Sequence, residues 1–169
     1  MIAVTHQTFG ITFGLITVFF LQLFNIQPNG IGESLIFFVL VLLGSLLPDL
    51  DTPKSKLGRK FWPISFIISL FVKHRTATHS LLFVAVVGAV SGILFATFSS
   101  SWFFILAITV GTSSHIVGDW LTKRGVPFLY PFKKERFKAP ITFETDGFVE
   151  KILCLVLIGI NILLFIVLV

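Results

Sequence analysis

Long uninterrupted apolar blocks govern what this chain can fold into. They run roughly over Thr8–Phe24, Ile31–Leu47, Thr78–Phe98, Trp102–Leu121 and Ile152–Val169. A helix crosses a bilayer when it offers about 20 apolar residues at a rise of ~1.5 Å each, and these blocks reach or approach that length. A sixth block, Phe61–Val72, is too short to cross and reads as an interfacial or re-entrant segment. With 55% hydrophobic and 12% charged residues, an ordinary soluble domain is excluded. The expectation is an all-α, polytopic membrane helix bundle with about five transmembrane helices plus one short interfacial or re-entrant segment. It forms a single integral-membrane domain over residues 1–169.

The first block lacks a basic leader and a small-x-small cleavage site, so it reads as a retained helix rather than a signal peptide. The single cysteine, Cys154, lies in the last apolar block; it excludes an intramolecular disulfide and reads as packing.

The net charge of +5 would suit a nucleic-acid binder, but its distribution argues against that partner. All 13 basic residues fall within Asp51–Arg75 or Lys123–Lys151, whereas Asn25–Gly30 and Ser99–Ser101 have none. If helices alternate, the two basic regions share one side. The positive-inside rule makes that side cytoplasmic, with the N-terminus inside and Val169 near the outer surface. The expected location is the cell membrane, crossed several times, with the lipid bilayer as partner.

The four histidines, His6, His74, His79 and His115, all lie at or near the cytoplasmic ends of segments, as do Asp49, Asp51 and Asp119. Asp119 and His115 precede Lys123 by four and eight residues, placing them about 6 and 12 Å below the basic loop, at headgroup and upper acyl depth. His115 and Asp119 are spaced i,i+4 and share one helix face. Pro48 and Pro53 disfavour helix around the aspartates; in an extended segment Asp49 and Asp51 would point the same way. His74 and His79 would diverge on one helix but converge if His74 precedes it and Thr76 or Thr78 caps it.

Taken singly, each residue has a structural use, as a helix-end polar group, a turn, a cap or an interhelical hydrogen bond. Their convergence on one face favours a metal site. Imidazoles and carboxylates together suit Zn²⁺, Mn²⁺ or Fe²⁺, and a carboxylate-rich subset could hold Mg²⁺.

Four stretches, "HQTFG", "LLPDLDTPKSKLG", "HRTATHS" and "SSHIVGDWLTKRGVPFLYPF", occur in that order from His6 to about Pro140. As a set they resemble the YdjM/YbcI-type membrane-bound metal-dependent hydrolases of bacteria. The resemblance implies an integral membrane protein whose divalent ion is held by His6, Asp49, Asp51, His74, His79, His115 and Asp119. Two departures stand out. Thr52 occupies a position where relatives often carry His, and Lys123–Arg124 replaces a more neutral Pro-Ala pair.

The expected chemistry is metal-assisted hydrolysis of a membrane amphiphile, a phosphoester of a phospholipid or polyprenyl phosphate. A bound divalent ion would activate water and polarise the scissile group. Asp51 or Asp119 would act as general base, and Arg75, between two histidines, would clamp phosphate. Helices that begin on the cytoplasmic side direct positive dipole ends at the site, which favours an anionic substrate. The segment 123–149 is expected to be a cytoplasmic loop that covers the site, without a long helix.

The alternatives are a lipid amidase or ester hydrolase, a divalent-metal carrier, and a structural membrane protein. The chain carries no HExxH or G-x-S-x-G motif, which disfavours zinc-protease and serine-lipase chemistry. One-sided polar residues and the lack of an internal repeat disfavour a carrier.

Overall fold

The computed structural model describes residues 1–26, 28–97 and 102–168. Seven α-helices occur among them: α1 (Ala3–Gln22), α2 (Gly30–Gly44), α3 (Lys56–Lys60), α4 (Trp62–Phe71), α5 (Leu81–Thr97), α6 (Trp102–Trp120) and α7 (Phe148–Leu168). Two 3₁₀ turns, Leu47–Asp51 and Ala77–His79, precede α3 and α5, and no strand forms among the described residues. Gln27, Phe98, the turn Ser99–Ser101 and Val169 lie outside the described residues.

The all-helical membrane architecture agrees with the hydropathy pattern. Helices α1, α6 and α7, with 20, 19 and 21 residues, are long and apolar enough to cross a bilayer. Helices α2 and α5 are shorter, at 15 and 17 residues, and α4 has 10. The short segment foreseen at Phe61–Val72 is therefore a helix of nearly three turns. Exposed Trp62, Phe66, Ile67 and Phe71 give it an apolar surface.

Helix α6 is the hub, packed against α1, α2 and α5, while α7 leans on α1. The crossing of α2 and α6 is close enough to require glycine on both sides. A Cβ on Gly44 would lie 2.4 Å from the Ile108 carbonyl oxygen, and one on Gly111 would lie 2.2 Å from that of Val41. Such backbone approach is how helices associate where lipid removes the hydrophobic drive between them. Below the crossing, Val18, Phe37, Val41, Phe103 and Ala107 form a buried apolar cluster.

Polar contacts fix the margins. Glu150, fully buried in the first turn of α7, accepts the amides of Ile2 and Asp146, each at 2.7 Å. It therefore joins the start of α1 to the start of α7. Cys154 faces α1, its Sγ 3.6 Å from the Thr8 hydroxyl, in keeping with a packing role.

The connector between α6 and α7 contains no helix, as its prolines and glycines foretold. It is fastened by backbone hydrogen bonds from Ala139 to Trp120 (3.1 Å), Phe143 to Leu121 (3.1 Å) and Lys123 to Phe143 (2.9 Å). Val126 and Phe137 pair in both directions, and Leu81 at the start of α5 donates to Phe128. The connector thus spans the ends of α5 and α6, where the histidines gather.

Candidate metal centre

The first turns of α1, the Leu47–Asp51 turn, the approach to α5 and the last turns of α6 meet at one end of the bundle. Six of the seven predicted ligands converge there in three overlapping sets: His6, Asp49 and His115; Asp49, His74 and His79; and His79, His115 and Asp119. Within each set the ligand atoms lie within 4.8 Å of one another. His6, His79, His115 and Asp119 are fully buried, and the Asp49 side chain is 18% exposed.

Hydrogen bonds decide which imidazole nitrogens face the centre. His115 Nδ1 lies 2.7 Å from the Ser45 carbonyl oxygen, an acceptor only, so Nδ1 carries the hydrogen and Nε2 a lone pair. The Thr78 hydroxyl donates to Asp51 Oδ2 and so accepts from His79 Nδ1 at 3.0 Å. His79 Nε2 is therefore also a lone pair. These two Nε2 atoms face each other at 3.2 Å. Asp119 Oδ2, buried and without a hydrogen-bond partner, lies 3.5 Å from His79 Nε2. Asp49 Oδ1 lies 3.7 Å from both Nε2 atoms.

In these tautomers four acceptors converge, an arrangement that a metal ion or a proton between them relieves. The spacing fits such an ion. Metal–nitrogen bonds of ~2.0–2.1 Å set tetrahedral ligand–ligand edges of roughly 3.3 Å, against the 3.2–3.9 Å separating these donors. The His6 ring stacks on His115 with centroids 3.6 Å apart, and neither of its nitrogens has a hydrogen-bond partner.

Asp51 stands one layer behind the convergent set. Its Oδ1 is 2.7 Å from His74 Nδ1, and its Oδ2 accepts from the Thr78 hydroxyl and, at 3.2 Å, from the Arg75 amide. Burial pushes this carboxyl up, but the hydrogen bonds from His74 and Thr78 outweigh it and hold Asp51 below the usual carboxylate range. It stays ionised and orients two histidines, one directly and one through Thr78, as carboxylates behind metal-binding imidazoles do. Asp51→Asn is expected to lower divalent-ion affinity by about 10–100-fold with the convergent donors intact. Titration calorimetry giving wild-type affinity would refute that role.

Arg75 is buried and has a left-handed backbone, φ 60°, a conformation that costs a bulky residue about 1–3 kcal/mol. The geometry holds because its amide meets Asp51 while its guanidinium reaches Asp119 Oδ1 at 2.8 Å. The Met1 amino group meets the same oxygen. Asp119 therefore presents Oδ1 to cations and Oδ2 to the histidine pair.

Two local expectations are corrected. Asp49 and Asp51 lie on a 3₁₀ turn, not an extended segment, because Pro48 fits its first positions, where no amide is needed. At about three residues per turn their side chains diverge, Asp49 to the centre and Asp51 behind it. His74 does precede the helix, but Ser80, not Thr76 or Thr78, caps α5 by accepting the Phe83 amide at 3.2 Å.

Unlike Arg75, the basic side chains of Arg59, Lys73, Lys133 and Lys138 are exposed. Sequence reasoning missed the Ser45 carbonyl, Thr78 as a relay and Glu150. Only Glu150 had a visible signal, an acid in the first turn of an otherwise apolar helix.

The whole chain, residues 1–169, matches the YdjM inner membrane protein family. The chain belongs to that family. YdjM-family relatives include inner membrane protein YdjM of Escherichia coli (strain K12), 37% identical over 121 residues, or 69% of this chain and 60% of the relative. The YdjM of Shigella flexneri matches to the same extent. The protein YvsG of Bacillus subtilis (strain 168) is 32% identical over 110 residues, 65% of this chain and 66% of its own length. The aligned region thus spans somewhat less than two thirds of each of these curated relatives. No solved structure matches the chain significantly. Membership in the YdjM family makes the chain a membrane protein, and its buried His/Asp clusters could hold a metal ion.

Proposed function

We propose that the chain is a metal-dependent hydrolase that cleaves a phosphoester of a membrane amphiphile, a phospholipid or polyprenyl phosphate, at the cytoplasmic leaflet. The observation that carries this reading is the pair of Nε2 lone pairs of His79 and His115, 3.2 Å apart, with buried Asp119 Oδ2 beside them. His79, His115 and Asp119 would hold a divalent ion, with a position left open on the side of Asp49 and with His6 and His74 flanking them. Such an ion acidifies water and polarises a phosphoryl or carbonyl oxygen.

The residues divide the remaining work. Ser45, Thr78 and Asp51 hold the imidazoles in the tautomers that leave Nε2 free. Asp119 Oδ1 is neutralised by Arg75, and both oxygens of Asp51 are committed to His74, Thr78 and Arg75. Asp49 remains, the most solvent-open of the three carboxylates, and takes the general-base role at the mouth of the centre. This reassigns the base from Asp51 and Asp119. Thr5, beside His6 in the chain, and Ser45, whose carbonyl meets His115, are both fully buried.

The cytoplasmic assignment rests on the basic residues, which border the same end of the bundle as the histidines. The test is incubation of purified protein in detergent with a panel of membrane lipids and Mg²⁺, Mn²⁺ or Zn²⁺, scored by mass spectrometry. A phosphoester lipid is expected to be consumed, and consumption should stop with a chelator. Turnover confined to amide or carboxylic ester bonds would reject phosphoester specificity. No turnover of any lipid with every ion, in protein shown to retain metal, would reject the hydrolase.

A further inference from the structure

Of two apolar cavities that open along the spanning helices, one touches a predicted ligand, Asp51, which stands directly behind the convergent donors. The cleft between α1, α2 and α7, about 460 Å³, is lined by Thr8, Leu15, Phe38 and Asn161 and touches none of the seven predicted ligands. The other, about 520 Å³, starts at Asp51 and Thr78 and continues along α5 to Leu94. Val86, Val87, Val90, Ser91 and Leu94 line it at helical spacing, with Ile108 of α6 as a further contact. Ile68 of α4 and Val72, just after its end, form a further wall.

The dimensions and polarity of this groove define an occupant. From Phe83 to Leu94 the α5 face rises about 16 Å, nearly the ~15 Å hydrocarbon depth of one leaflet. Its body is aliphatic. Its polar end is a carboxylate and a hydroxyl that hydrogen-bond to the histidines of the centre. A molecule lying in it would have a single hydrocarbon chain about one leaflet long, with the reactive headgroup at the chain's polar end. That is one acyl chain of a bilayer phospholipid. A long polyprenyl chain exceeds the groove.

We propose that the α4–α5–α6 groove binds one acyl chain of a membrane glycerophospholipid and presents its phosphoester to the His79–His115 centre. This rests on the hydrolase reading for the fate of the headgroup, but the groove itself can be tested without turnover.

The experiment uses full-length protein in nanodiscs of phosphatidylethanolamine and phosphatidylglycerol. A phospholipid with a photoactivatable group on its acyl chain is crosslinked and mapped by peptide mass spectrometry. Label should concentrate on Val86–Leu94 and Ile68–Val72. Val90→Trp places an indole inside the groove at a half-exposed position, whereas Ile93→Trp adds the same bulk outside its lining, at a residue 69% exposed. Val90→Trp is expected to reduce groove labelling at least about tenfold, the equivalent of one lost apolar side-chain contact, while Ile93→Trp leaves it unchanged. Val86→Trp is the second plug if Val90→Trp does not fold, folding being judged by unchanged metal content and melting temperature.

Equal labelling in the plug and control variants, or label spread evenly over lipid-facing helices, would overturn the groove. Stronger competition by polyprenyl phosphate than by phospholipid would overturn the acyl assignment. Groove labelling that persists in protein without turnover of any lipid would uphold the binding site and reject the hydrolase reading.

Discussion

Asp119→Asn is expected to abolish both turnover and retention of a divalent ion while the bundle still folds. The two oxygens of Asp119 have separate duties: Oδ1 receives Arg75 and the Met1 amino group, and Oδ2 faces the imidazole pair. An asparagine keeps a carbonyl oxygen for Arg75 and turns its amide hydrogens onto the Nε2 lone pairs. Hydrogens then occupy the space an ion would take. Losing the charge opposite buried Arg75 costs up to about 3–5 kcal/mol. His79→Ala is the companion, since it removes a donor and leaves the Arg75–Asp119 pair untouched. Thermal unfolding with and without chelator separates metal loss from misfolding. An ion at a thousand times its Kd stabilises the wild type by about 4 kcal/mol, so chelation should lower its melting temperature. Both variants should be indifferent to the chelator. A variant that keeps wild-type metal content and turnover would refute the assignment.

Gly111→Ala should have the largest effect of any single methyl group added to the α2–α6 crossing. Its Cβ would lie 2.2 Å from the Val41 carbonyl oxygen and 2.9 Å from the Ser45 amide, and backbone on both sides leaves nothing flexible to yield. Helix α2 must move away, carrying with it the Ser45 carbonyl that fixes the His115 tautomer. Overpacking of this kind costs about 1–3 kcal/mol, and metal affinity should fall with stability although no ligand is altered. Gly159→Ala is the control, because a Cβ there meets nothing within 4 Å. Equal melting temperatures and equal metal content for the two alanine variants would show that the crossing does not position the centre.

The bundle and the membership of its polar cluster were legible because both follow from chemistry carried by single residues. Lipid admits apolar helices, so the blocks announced themselves. A charged or imidazole side chain at headgroup depth needs a partner, and seven such residues on one side left few ways to provide one. The roles within the cluster were less legible. Asp49 and Asp51 differ only by which side of a 3₁₀ turn they occupy, and two prolines signal departure from α-helix without selecting what replaces it. The tautomers of His79 and His115 depend on a threonine hydroxyl and a backbone carbonyl. A carbonyl has no letter in a sequence. The same holds for the groove at α4 and α5, a space defined by how ordinary aliphatic residues of separate elements are placed.

Asp51 touches both halves of this arrangement. One carboxylate orients His74 and, through Thr78, His79; it also forms the polar end of the aliphatic groove. If an acyl chain in the groove shifts that carboxylate, the groove and the metal centre are thermodynamically linked. Whatever factor an acyl chain contributes to ion affinity, the ion must return to the affinity for that chain. Loading would then be ordered by abundance, with lipid always at hand in the bilayer and the scarce divalent ion completing a centre whose histidines the lipid has already steadied.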